Sequence, residues 1–298
     1  APRRLQCANN LKQMGLGILN YESRYRCFPP GGDDTRYGIS WFVRVMPYIE
    51  ASQFLEQVPP DASGWMPTAD PEIQNLIKDQ FWDFLYCPSS DLDPFTLTST
   101  DFGRANVMSP TYAGIMGSYI HDSMEPQGGS EGGNWFKGHI SSGGILIPHV
   151  KNPNPFEKPD FKYVKVSDVT DGTSKTIMVG EQSGWCYDYT SGGKRDCTSD
   201  CDHGFTMGAA TSDGTYRAFN TTCVRYPINE RNYNAAGVAG NCGPNRPIQS
   251  IHPGGAQVLL ADGSVRWLDE DLDITVVYNL ADRMDGNTLQ LDLKDATQ

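Results

Sequence analysis

A chain of 298 residues with 38% hydrophobic side chains is long enough to bury a full core, as one large domain or two. The formal net charge of -12 comes with no basic stripe, which argues against a nucleic-acid partner. A mean hydropathy of -0.47 and the lack of a long apolar run describe a globular composition, neither disordered nor membrane-spanning.

The chain opens on a helix. Cys7, Leu11, Met14, Ile18, Tyr21 and Tyr25 recur at steps of three and four and form one apolar stripe. Pro29-Pro30-Gly31-Gly32 removes donors and frees the dihedrals, so the helix cannot pass residue 28. At 1.5 Å per residue this is a rod of roughly 35 Å. Its other side is not strongly charged, since Leu5, Ala8, Leu16 and Leu19 sit there. A helix apolar on both sides expects a second partner besides its own sheet.

Ser40 to Val58 reads as a second helix with a break at Pro47. Asp70-Pro71-Glu72 is a capped start for a third, expected to run to about Phe84. From Cys87 to Phe161 the chain is rich in Gly, Pro, Ser and Asn and reads as loops over a sheet. Strands are expected at Lys162–Val166 and Thr176–Gly180. The clearest hairpin joins Gln257–Ala261 to Ser264–Leu268 through Asp262-Gly263, read as a type I′ turn. A closing helix spans Ile274 to Arg283. The order of elements predicts an α+β fold, with the long helix packed on one face of an antiparallel sheet.

The cysteines stand at 7, 27, 87, 186, 197, 201, 223 and 242, and five of the eight lie in the turn-rich stretch between 186 and 242. This usage suits an oxidising compartment in which disulfides staple the loops, and all eight are expected to be bridged. Eight cysteines allow 105 connectivities. An odd number in the cluster requires a link back to Cys7, Cys27 or Cys87, and the pair expected to tie helix to body is Cys7 with Cys87. Zinc at Cys197, Cys201 and His203 is the weaker reading, because no second paired-cysteine knuckle stands at zinc-ribbon distance.

No catalytic constellation is visible. The five histidines, at 121, 139, 149, 203 and 252, all stand in loop-like sequence, without a Gly-x-Ser-x-Gly elbow, P-loop, dinucleotide fingerprint or His-Glu-x-x-His. His252-Pro253-Gly254-Gly255 reads more simply as a turn into a strand, with His252 bonding a loop, than as chemistry. Asp269, Asp271 and Asp273 are candidate calcium ligands, as are Asp200 and Asp202, although neither stretch fits an EF-hand and such runs are commonly solvated element ends. Asn220-Thr221-Thr222 is the sole sequon and a candidate surface glycan site.

The first helix with Phe28-Pro29-Pro30-Gly31, Ser40-Trp41 through Glu50, Cys87-Pro88-Ser89, Thr111-Tyr112-Ala113-Gly114, Asp168 through Glu181, and His252-Pro253-Gly254-Gly255 through Arg266 form an ordered set of stretches. Taken together they resemble the DUF1559 family of pilin-like proteins with prepilin-type N-termini, abundant in planctomycetes. The resemblance implies a pilin-like fold, a helix over 1–28 continuing upstream, a head over 29–298, and an encoded segment of about 20 apolar residues before Arg3, long enough to cross a bilayer. Related type II secretion pseudopilins often carry calcium near the sheet, without assigning a residue here. The function expected is non-enzymatic: a subunit of an extracytoplasmic filament or pseudopilus, at the cell surface, outside the cell or in the periplasm. Its partners would be copies of itself, assembling through Leu5, Ala8, Leu16 and Leu19. The competing expectation is a glycan- or ligand-binding module using Trp135-Phe136 and Trp185, Tyr187 and Tyr189.

Overall fold

A computed structural model describes residues 2–33, 38–49, 71–98, 104–122, 125–126, 138–148, 164–210, 217–240, 243–287 and 293–296. Helix α1 spans Pro2–Tyr25. Cys7, Leu11, Met14 and Ile18 are fully buried and Tyr21 nearly so, as their spacing predicts, whereas Tyr25 is 52% exposed and its ring leans on that of Tyr21 at 44°. Arg26 ends the helix in the left-handed region (φ 60°) and donates its N–H back to the Glu22 carbonyl. Phe28 to Gly32 then run buried beneath the body.

Six strands form the main sheet: β1 Tyr112–Ser118, β2 Ile177–Glu181, β3 Thr221–Val224, β4 Gly255–Leu260, β5 Val265–Asp269 and β6 Lys294–Asp295. Their spatial order is β3-β1-β2-β4-β5-β6. The expected all-antiparallel sheet is corrected at one edge, where β3 runs parallel to β1. The long excursion between the two strands supplies the crossover a parallel pair needs.

The sheet is covered on both faces, not one. In β4 and β5, Leu259, Val265 and Trp267 join the cluster containing α1, while Val258, Leu260 and Leu268 join Val277 and Leu280 of helix α4 on the other side. The alternation follows from the strand period of two. Gly15 makes the approach of α1 possible: a Cβ there would lie 2.9 Å from the Leu259 Cδ1.

Shorter elements depart from their expected bounds. The second helix divides at its proline into α2 (Trp41–Val45) and a 3-10 turn, Met46–Tyr48. Residues 50–58 of that expected helix lie outside the described residues, as does Asp70. Helix α3 is Pro71–Ile77 and stops well before Phe84, where Asp79 turns left-handed at φ 56°. The strand expected at Lys162–Val166 is absent over 164–166, where the chain instead enters a 3-10 turn, Val166–Asp168, with Asp168 accepting from the Lys165 N–H. Residues 162 and 163 lie outside the described residues.

The β4–β5 hairpin has the expected strands but a different turn. Only Gly263 has positive φ (85°), and its N–H donates to the Leu260 carbonyl. This is a type I turn followed by a left-handed glycine, not type I′.

Helix α4 (Ile274–Ala281) starts at Asp273, whose Oδ1 accepts from the Thr275 N–H at 2.8 Å. Asp273→Ala should therefore lower the urea midpoint. Asp271→Ala should leave the urea midpoint unchanged, and millimolar calcium should shift neither variant.

Candidate functional site

Two features of α1 converge on function: the face it turns outward and the polar cluster its first turns seal. On the outward face Leu5 is 44% and Leu16 62% exposed. They are separated by three helical turns, with Gln6, Asn9, Lys12, Gln13 and Asn20 also exposed around them. Ala8, expected on this face, is fully buried, and Leu19 is half-covered, with its Cδ1 close to Gly263. The sheet grips a wider arc than the minimal stripe, as apolar faces of globular helices generally do.

Beneath the first turns of α1 lies the second feature. Cys7 is bridged to Cys87, fastening the helix to the segment before β1 as expected. The His252 ring faces this bridge and not a loop, with Nε2 3.4 Å from the Cys7 Sγ and 3.8 Å from the Cys87 Sγ. It also lies 3.9 Å from the Glu181 Oε1 at the end of β2. Among the described residues this is the single group of three or more His, Cys, Asp or Glu side chains whose ligand atoms all lie within 4.8 Å of one another.

Each member is held by a different element. The Cys87 N–H donates to the Thr111 Oγ1 just ahead of β1. The Ser183 and Ser250 hydroxyls both donate to the Glu181 Oε1, while the Gln257 N–H donates to Oε2. Ser250 Oγ in turn accepts from the His252 N–H and Ser183 Oγ from the Ile251 N–H. The loop carrying His252 is thereby tied to the carboxylate through two hydroxyls. The Tyr112 hydroxyl donates to the Cys7 carbonyl, and the Asn10 amide reaches the carbonyls of Asp83 and Tyr86.

Burial raises the Glu181 pKa, against the Ser183 hydroxyl, the Gln257 N–H, the Ser250 hydroxyl and the Arg4 charge. Burial, reinforced by Arg4, lowers that of His252, so near neutral pH its imidazole is uncharged. Arg4 itself is seated with its guanidinium 3.9 Å over the Trp267 ring.

Cys87, Glu181 and His252 stand in separate motifs of the sequence, and only the fold brings them together. Positions 165 and 245 residues apart meet here, which no local spacing announces.

The structure removes other candidates. The calcium ligands do not converge: Asp269 pairs with Lys294 and accepts from the Trp267 indole, and Asp273 caps α4. Asn220 is fully buried at φ 59°, its amide nitrogen donating to the Gly204 and Met207 carbonyls, so it is no surface glycan acceptor. Cys197 is bridged to Cys186, which removes it from any zinc set with His203. Against the expectation that every cysteine is oxidised, Cys27 and Cys223 are buried thiols. Cys223 packs with Met116, Ile140 and Ala218 as a small hydrophobe, and burial pushes its thiol far up. Cys201 is buried too, and Cys242 lies outside the described residues. Trp135 and Phe136 lie outside them as well, whereas Tyr187 and Tyr189 are 39% and 68% exposed and 5.1 Å apart edge to face.

A family model described as "Protein of unknown function (DUF1559)" matches residues 1–275. The chain belongs to that family. No curated protein and no solved structure matches it. The DUF1559 match spans α1, the main sheet as far as β5 and the start of α4, so both faces of the helix and all four members of the buried cluster lie within it.

Proposed function

We propose that this DUF1559 chain is a pilin-like structural subunit that assembles with copies of itself through the outward face of α1, outside the cytoplasm. The observation that carries the reading is the exposure of Leu5 and Leu16 on a helix whose other side is clamped to the sheet. Fully burying a leucine is worth roughly 1.5–3 kcal/mol, and a neighbouring helix recovers what solvent leaves unused. The polar residues between the two leucines are mostly uncharged and can hydrogen-bond across a helix pair. The disulfides Cys7–Cys87 and Cys186–Cys197 suit an oxidising compartment. No helix among the described residues is long and apolar enough to cross a membrane.

Replacing Leu5 by Gln and Leu16 by Glu should leave the subunit folded, because neither side chain belongs to the core, and should abolish or strongly weaken assembly measured by sedimentation and cross-linking. Leu19→Lys is the poorer probe, since it disturbs the hairpin contact. A double variant that assembles like the parent would end the reading.

A second reading, a glycan-binding module, is favoured by one feature. Tyr189 stands exposed beside Tyr187, while the Lys194 Nζ lies 3.9 Å over the neighbouring Trp185 ring. Tyr189→Ala would then lose oligosaccharide binding while assembly is unaffected.

A further inference from the structure

We infer that the Cys7–Cys87 bridge is one of two states of a single site, and that on reduction Cys7, Cys87, His252 and Glu181 bind one zinc ion. The donor set is two thiolates, an imidazole and a carboxylate, which matches the ligand types zinc takes in tetrahedral sites. Soft thiolates disfavour calcium and magnesium here. With metal–ligand bonds of about 2.0–2.3 Å, the edges of a tetrahedron are roughly 3.3–3.8 Å. His252 Nε2 already stands 3.4 Å and 3.8 Å from the two sulfurs and 3.9 Å from the carboxylate oxygen. The two edges from the Glu181 carboxylate to the sulfurs lie within 4.8 Å, and the sulfur–sulfur edge is closed by the covalent bond, which reduction releases.

The supports are those of a built site. Cys7, Cys87 and Glu181 are fully buried. The carboxylate is oriented by two serine hydroxyls and a backbone N–H, the outer-shell bonding that ligating carboxylates characteristically carry. Two of the ligands, Glu181 and His252, are cross-tied through Ser250, so they move together. The four come from helix α1, the segment before β1, the end of β2 and the loop before β4, so a bound metal would hold α1 to the body as the disulfide does.

The two states exchange by a balanced reaction. A dithiol reductant transfers two electrons and two protons to the bridge, giving two cysteine thiols and a cyclic disulfide of the reductant. Zinc then displaces both thiol protons to form the bis-thiolate. While the S–S bond is intact neither sulfur can serve as a thiolate ligand, so the oxidised chain holds no zinc at this site.

The test uses the whole chain, oxidised and dithiol-reduced under anaerobic conditions, with zinc content measured after removal of excess metal. The expected result is stoichiometric zinc in the reduced form alone. Cobalt substitution should add a thiolate-to-cobalt charge-transfer band and the d–d bands of a tetrahedral ion. His252→Ala should weaken zinc binding by more than about 100-fold, the upper range for loss of even an outer-shell partner. Cys223→Ser, at a buried thiol remote from the cluster, should bind as the parent does. Equal zinc in the oxidised and reduced chains, or none in either, overturns the proposal. So does unchanged binding in the Cys7→Ser/Cys87→Ser double variant, or a reduced chain that loses structure and does not recover it on adding zinc.

Discussion

Replacing Cys7 and Cys87 together by alanine should lower the unfolding free energy of the oxidised protein by about 4.5 kcal/mol, the loop-closure value for a separation of 80 residues. Replacing Cys186 and Cys197, which are 11 apart, should cost about 2.8 kcal/mol on the same basis. The larger loss is a sizeable part of the roughly 5–15 kcal/mol that a folded domain has in total, and corresponds to about 10 °C or more in Tm. Both bridges are fully buried, so losing either leaves a cavity, but one local effect should add to the first figure alone: α1 loses its covalent tie near the end farthest from the hairpin turn. Paired denaturant titrations of the two double variants decide the matter. If the 7–87 variant is no less stable than the 186–197 variant, the helix is held by its apolar stripe alone and the bridge is incidental.

What could be read from the residues alone divides along physical lines. The buried stripe of α1 was legible because a helix on a sheet must repeat its apolar positions at three and four, and Cys7, Leu11, Met14 and Ile18 do. The β4–β5 hairpin was legible for the same kind of local reason, though the conformation of Asp262 was not, because an Asp-Gly pair serves more than one turn type. The second cover on the sheet was missed. Runs such as Gln257–Leu260 look like ordinary strand sequence whether one face or both are buried, and only the position of α4 settles it. Asn220 misled because a sequon says nothing of depth: its left-handed backbone places the amide among the Gly204 and Met207 carbonyls, where it closes a turn. The Cys7–Cys87–Glu181–His252 cluster was out of reach because it is made by tertiary closure of four segments, none of which is distinctive by itself.

The part of the folded chain's stability that rests on Asp200 should fall as pH rises from about 4 to about 7. Asp200 is 2% exposed, and burial, followed by repulsion from Asp196 and Asp202, raises its pKa from 3.8 to about 7, despite hydrogen bonds from Thr198 and Ser109 that act the other way. The folded state therefore binds this proton more tightly than the unfolded chain does. Its contribution is fully present below about pH 4 and is lost as pH rises towards 7, after which it is flat. A difference of about three pH units corresponds to roughly 4 kcal/mol. Asp200→Asn removes the titration while preserving the bonding pattern: its carbonyl can accept from the Gly204 N–H, as the Asp200 Oδ2 does, and its amide can donate to the Thr198 Oγ1 that now donates to Oδ1. The variant should be more stable than the parent at pH 8 by up to about 4 kcal/mol, with the gap closing as pH approaches 4. Glu181 and Asp282, whose pKa values burial also raises, titrate in both proteins and cancel in the difference. Urea midpoints for parent and variant across this range supply the test, and two curves that run parallel from pH 4 to pH 8 would mean that Asp200 is charged throughout. In that case the acidic crowd at Asp196, Asp200 and Asp202 would have to be neutralised by a cation, and of these three Asp200 and Asp202 are the pair the sequence offered as calcium ligands.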